Sequence, residues 1–219
     1  MQLVIATVIA LLPIINPFST APMFLAITEG DSHAERMEQA RKAVIYMVSI
    51  LVAFLVGGTF IMQFFGLSLP GLRIAGGILV AGVGMRMLYP RDEGVQTAAE
   101  RLESKRKRDV SFTPLAMPSL AGPGAISVTI GLTSMATTWV DFVSITIGIL
   151  LVAAIVLTTL RLSTRLVSVL GVNGLHAMTK IMGFLILCVG VQFIVTGVIG
   201  VATSPELING IIEAVDGAR

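Results

Sequence analysis

LLPIINPFSTAPMFLAIT, residues 11–28, is the stretch that decides the fold of this chain. It is an apolar run of membrane-crossing character, yet it carries Pro13, Pro17 and Pro22. Proline lacks an N–H and its ring clashes with the preceding turn, so one inside a helix costs about 3 kcal/mol. The same ladder recurs in FTPLAMPSLAGPGAISVTI, residues 112–130, as Pro114, Pro118 and Pro123. Each of these lies 101 positions beyond its counterpart. Three helix breakers at one spacing in two apolar runs point to an internal duplication whose leading helices are broken.

Working outward, apolar residues make up 55% of the chain and charged residues only 13%. Soluble domains carry roughly 25% charged residues, so the composition reads as a polytopic, all-α membrane protein. A spanning helix needs about 20 mostly apolar residues. Six segments qualify, at roughly 3–28, 42–65, 69–89, 111–136, 142–160 and 179–200. The N-terminal run lacks a basic n-region, and Pro22 would follow the Ser19-Thr20-Ala21 cleavage-like site, so it reads as a retained span.

Helix boundaries are legible in places. Ser32 with Glu35, and Thr138 with Asp141, form capping-box patterns. Gly171, Asn173 and Gly174 mark a turn before the sixth segment, and 161–170 reads as a short amphipathic helix.

The duplication sets the domains: a first three-helix repeat over 1–90, a charged cytoplasmic connector over 91–110, a second repeat over 111–200 and a tail over 201–219. Arg73-Ile74-Ala75-Gly76 against Lys180-Ile181-Met182-Gly183 gives a second registration mark. Three spans per half is an odd number, so the second half must run through the membrane in the opposite sense. That is the inverted repeat common among secondary transporters, whose sites lie at broken helices near the midplane. Lys and Arg cluster in the loops after segments one, three and five, Arg86 among them, which puts both termini outside the cytoplasm.

Broken helices also suggest chemistry. A helix restarting after a break offers free N–H groups and a positive dipole end to an anion, and a helix stopping there offers carbonyls to a cation. Asn16, Pro17, Ser19, Thr20 and Pro22 in the first half, with Pro118, Ser119, Gly122, Pro123 and Gly124 in the second, are the candidate substrate-binding residues. All thirteen acidic residues fall in loops, at segment ends or in the tail. Proton relays and dedicated cation paths place carboxylates at depth, so the ligand expected here is a small neutral solute. The net charge of +2 implies no nucleic-acid partner, and the lipid bilayer is the surrounding partner. No cofactor or metal site is expected, because His33 and His176 are isolated and Cys188, in an apolar run, reads as a small core residue. Gln63 and Gln192 are read as candidates for hydrogen bonds across helices. HExxH, GxGD and GxSxG patterns do not occur, so an enzyme is not expected.

NPFSTAP (16–22), PGLRIAGG (70–77), PLAMPSLAGPG (114–124), and Met182-Gly183-Phe184 with GVQF (190–193) resemble, in order, the motifs of the MarC family. The resemblance implies a six-helix bacterial inner-membrane protein related to transporters of neutral amino acids such as glycine and alanine. A non-transporting structural or regulatory membrane protein, or an exporter of another small neutral metabolite, stays open as the alternative. Coupling to Na⁺ or H⁺ and assembly as a homo-oligomer stay open as well. One mismatch stands out between the halves: Asn16 aligns with Met117.

Overall fold

A computed structural model describes residues 2–89, 109–133, 136, 138–204 and 209 of the chain, so most of the connector and tail lie outside the described residues. Among the described residues the structure is helical, without strands. α1 (Gln2–Ile15) and α2 (Pro17–Ile27) form the first apolar run and meet at a bend of 43°. α3 (His33–Phe64) and α4 (Leu69–Leu88) complete the first half. The second half has an irregular segment, Ser111–Leu120, then α5 (Pro123–Thr133), α6 (Trp139–Arg161) and α7 (Ser163–Ala202).

Four helices are long and apolar enough to cross a membrane: α3, α4, α6 and the His176–Ala202 part of α7. The bent α1–α2 pair makes a fifth. Residues 111–136, expected as one span, do not form a single helix. Thr113 and Met117 have extended backbones, and the turns around them close through wide bonds from Leu115 N–H to Val110 O and from Ala121 N–H to Ala116 O. The cause is local. Each residue precedes a proline, whose Cδ disfavours the helical conformation at the position before it.

Capping explains several boundaries. Ser32 N–H donates to the Glu35 carboxylate at 2.9 Å and Glu35 N–H to Ser32 Oγ at 3.3 Å, the reciprocal pair read in the sequence. Thr138 donates both its N–H and its hydroxyl to Asp141 at the start of α6. Arg36 donates to Thr28 O, satisfying a carbonyl at the end of α2. Gly171, at φ 62°, breaks α7 between a short leading helix and the long apolar one. Just after the connector, Asp109 accepts from the N–H and hydroxyl of Ser111 and from Lys42. The Ser111 donors, then Lys42, hold its carboxyl below the usual carboxylate range.

α1 packs on α6, α3 on the irregular segment, α5 and α6, α2 on α7, and α4 on α5 and α7. Leu11, Ile15, Phe24, Met47, Leu51, Leu115, Ile145 and Ile149 are fully or almost fully buried between them. Large apolar side chains such as Phe60, Phe64 and Val143 stay exposed, which suits a protein solvated by lipid tails. In that solvent, close packing and not water exclusion drives helix association, and small residues permit it. The α4–α7 pair shows this most clearly. A Cβ at Gly77 would lie 2.6 Å from Gly190 O, and one at Gly84 would lie 2.7 Å from Gly183 O. Gly197 meets Pro70 and Ile74, so the two helices run antiparallel. Glycines seven apart, 77 and 84 on one helix with 183, 190 and 197 on the other, form the seam.

Two minor expectations are corrected. Cys188 is exposed on the outer face of α7. Gln192 bonds Thr196 one turn along its own helix, not another helix, and Gln63 is likewise exposed.

Candidate functional site

Asn16 is the pivot of the first break. It precedes Pro17, which disfavours the right-handed helical region at this position, as Pro118 does at Met117. The two residues escape differently. Asn16 adopts a left-handed backbone, φ 42° and ψ 72°, and is the one non-glycine residue with positive φ among those described. Asn tolerates this region because its short amide bonds the neighbouring backbone. Here Asn16 Oδ1 accepts from Ser19 N–H at 3.3 Å, and Asn16 O accepts from the Ser19 and Thr20 N–H groups and the Thr20 hydroxyl. The start of α2 is thus satisfied by its own cap, and the chain only bends. Met117 has no such side chain and takes an extended backbone, φ −129° and ψ 126°, so the second run unravels.

The second break consequently lies further along the ladder than its counterpart. It falls at Ala121–Gly122, and α5 restarts at Pro123. Proline suits a first helical position because its fixed φ is pre-organised and its missing N–H would find no partner there. The first amides of α5 then belong to Gly124 and Ala125, and no side chain caps them from Ala121 or Gly122. One break is closed on itself; the other presents an open helix N-terminus.

Both breaks face one cavity of about 610 Å³. Asn16, Ser19 and Thr20 line it from the first, and Ser119, Gly122, Pro123 and Gly124 from the second. The two segments lie close together, for a Cβ added at Gly124 would meet Ile14 Cγ2 at 3.3 Å. The remaining candidates are not in the lining. Pro17 is buried at the first position of α2, Pro22 is half-buried within it, and the side chain of Pro118 lies outside what the structure describes. One face of α4 forms the opposite wall with Ile78, Leu79, Gly82, Val83, Arg86 and Met87.

The polar content is sparse and specific. Asn16 is only 4% exposed, and its amide nitrogen donates to Met87 Sδ at 3.6 Å. A thioether is a weak acceptor, so this buried donor keeps capacity for a ligand. Ser19 Oγ donates to Thr179 Oγ1 at 3.4 Å, tying α2 to α7. Arg86 lines the cavity and is exposed, in the last turn of α4, where a cation is favoured by the helix dipole. Among the described residues none that lines the cavity is acidic.

Arg86 is the residue the sequence reading placed elsewhere, among the loop charges. Residues 79, 82, 83 and 86 recur at helical spacing and so share one face, but nothing in the sequence says that this face looks onto the breaks.

The MarC family of integral membrane proteins matches residues 1–202. The chain belongs to this family. It is 38% identical over 202 residues to the inner membrane protein MarC of Escherichia coli strain K12, with 87% of this chain and 91% of the relative covered. The corresponding proteins of Shigella flexneri and of E. coli O1:K1 are similar to the same extent. No solved structure matches. A MarC-family chain with several apolar membrane-length helices and inner-membrane relatives is a multi-pass inner-membrane protein. The family match includes both proline ladders and the whole lining of the cavity.

Proposed function

We propose that this MarC-family protein is a secondary transporter of small amino acids without net charge, of the glycine and alanine class, working by alternating access. The observation that carries the reading is the single cavity lined from both helix breaks. Its volume falls within the roughly 300–1,000 Å³ range of small-molecule sites. Its donors suit a ligand that is polar at one end, and its apolar wall of Ile14, Ile78, Leu79 and Val83 suits a small aliphatic side chain.

The packing pattern supports two inverted halves. Exchanging the halves turns the α1–α6 contact into the contact of α3 with the irregular segment and α5. The same exchange turns α2–α7 into α4–α5, and it maps the antiparallel α4–α7 seam onto itself. On this reading 1–90 and 111–200 are the repeats, 111–133 provides the sixth crossing, and both termini lie outside the cytoplasm. The cavity sits between the halves, where relative rocking would open it to either side. Coupling by Na⁺ would use backbone carbonyls at the breaks, since no carboxylate lines the cavity among the described residues.

Uptake of labelled glycine or alanine into proteoliposomes, under Na⁺ and H⁺ gradients in turn, tests the reading. The wild type should accumulate label, and a Pro17→Ala/Pro123→Ala variant should lose most of it. Equal uptake by the two would remove the site assignment. No uptake under any gradient would favour a non-transporting role in the membrane.

A further inference from the structure

Among the described residues that line the cavity, the one full charge is positive. Arg86 lines it together with the open N-terminus of α5, and no acidic side chain shares the lining among the described residues. Arg86 makes no ion pair or hydrogen bond with any described residue; the ion pairs found join Lys42 to Glu38 and Asp109. Its neighbour Met87 touches the Asn16 amide, so the last turn of α4 is docked onto the first break, and Arg86 lines the same cavity as Asn16. Asn16 itself is almost completely buried there, with its amide donors met only by sulfur. Two cationic features and an under-used buried donor line one cavity, with no acidic side chain among the described residues of its lining. Arginine presents a planar fork of donors that matches a carboxylate, whereas an ammonium would find only carbonyls and hydroxyls here.

We infer that Arg86 is a specificity-determining residue that binds the carboxylate of the ligand, and that this carboxylate is the obligatory element of recognition. The inference rests on the amino-acid reading of the cavity and sharpens it: what the site reads is the acid end, not the overall neutrality. It gives a charge that a simple topology role would leave idle a defined partner inside the transport path. A side chain serving only lipid headgroups or loop orientation would be indifferent to the chemistry of the solute.

The test measures thermal stabilisation of the purified protein in detergent by alanine and by alaninamide, for the wild type, Arg86→Gln and Arg86→Lys, alongside alanine uptake by the reconstituted proteins. Alanine should stabilise the wild type and alaninamide should not, a comparison that uses the unaltered chain. Arg86→Gln should raise half-saturation for alanine by at least about tenfold, the scale of one lost charge-assisted hydrogen bond. Arg86→Lys should recover only part of that loss, because it keeps the charge and loses the fork. Equal stabilisation by the amide, or unchanged half-saturation in Arg86→Gln, overturns the inference, and wild-type uptake then leaves the transport reading standing. Stabilisation by alanine through Arg86 without any uptake keeps the inference and removes the transport reading. Absence of stabilisation by alanine in the wild type overturns the inference.

Discussion

Replacing Gly190 by alanine should force α4 and α7 apart. A Cβ there would lie 2.4 Å from Ala81 N and 2.8 Å from Ala81 Cα. Relaxed carbon contacts lie at about 3.5–4.0 Å, so the helices must separate by about 1 Å at the crossing. Both obstructing atoms belong to backbone, so no side-chain rotation relieves the clash. Overpacking of this kind costs about 1–3 kcal/mol. In lipid, where close contact is the main attraction between helices, no gain in buried area offsets the loss. Gly57 in α3 is the matched control, because a Cβ there meets nothing within 4 Å. Alanine at that position should be neutral or stabilising by up to about 1 kcal/mol, since glycine is the weaker helix former. The assay is reversible unfolding in mixed micelles of rising SDS fraction, followed by circular dichroism. If Gly190→Ala proves as stable as Gly57→Ala, the glycine seam does not hold these helices together and the packing argument fails.

Asn16→Gly should keep the left-handed backbone and lose only a few tenths of a kcal/mol, whereas Asn16→Ala should cost about 1–2 kcal/mol through strain and the lost cap; alanine uptake should fall in both, and full uptake by Asn16→Gly would show the amide to be purely structural. Ser32→Ala removes one half of the capping box at the start of α3 and should cost about 1 kcal/mol in the same micelle titration, with an unchanged midpoint counting against the cap. The depressed pKa of Asp109 sets a pH dependence. Its stabilisation is fully present above the unfolded carboxyl value, about 3.9, and is lost as pH falls through the lower folded value. Asp109→Asn should therefore flatten that acid limb of the stability profile, and an identical limb in the variant would assign it to other groups.

The proline ladder made the broken helices legible, because the penalty of proline is local and needs no tertiary partner. The Ser32–Glu35 box and the Gly171 turn were readable for the same reason. The ladder did not reveal that equivalent prolines break their helices at different steps. That depends on Asn16 and Met117 finding different ways out of one steric restriction, a choice made by a side-chain amide and its local partners. The two breaks line one cavity, as paired broken helices suggested, but the α4 wall was not legible, since helix rotation is set by packing against neighbours. Arg86 was therefore counted as a loop charge. Glycines recur at a spacing of seven in α4 and α7, and only the partner surface gives that spacing a meaning. Cys188 misled because its apolar neighbours look alike whether they face protein or lipid.

Central to the account is that both breaks bound one ligand-accessible cavity. Ser19→Cys and Ser119→Cys place a near-isosteric thiol on each side of it, and a Cys188→Ser background removes the native thiol. Labelling by a small water-soluble thiol reagent, in membranes with and without alanine, is the most direct measurement. Both positions should react, and alanine should slow both with the same half-saturating concentration. Labelling at only one position, or protection of one without the other, would contradict a shared site.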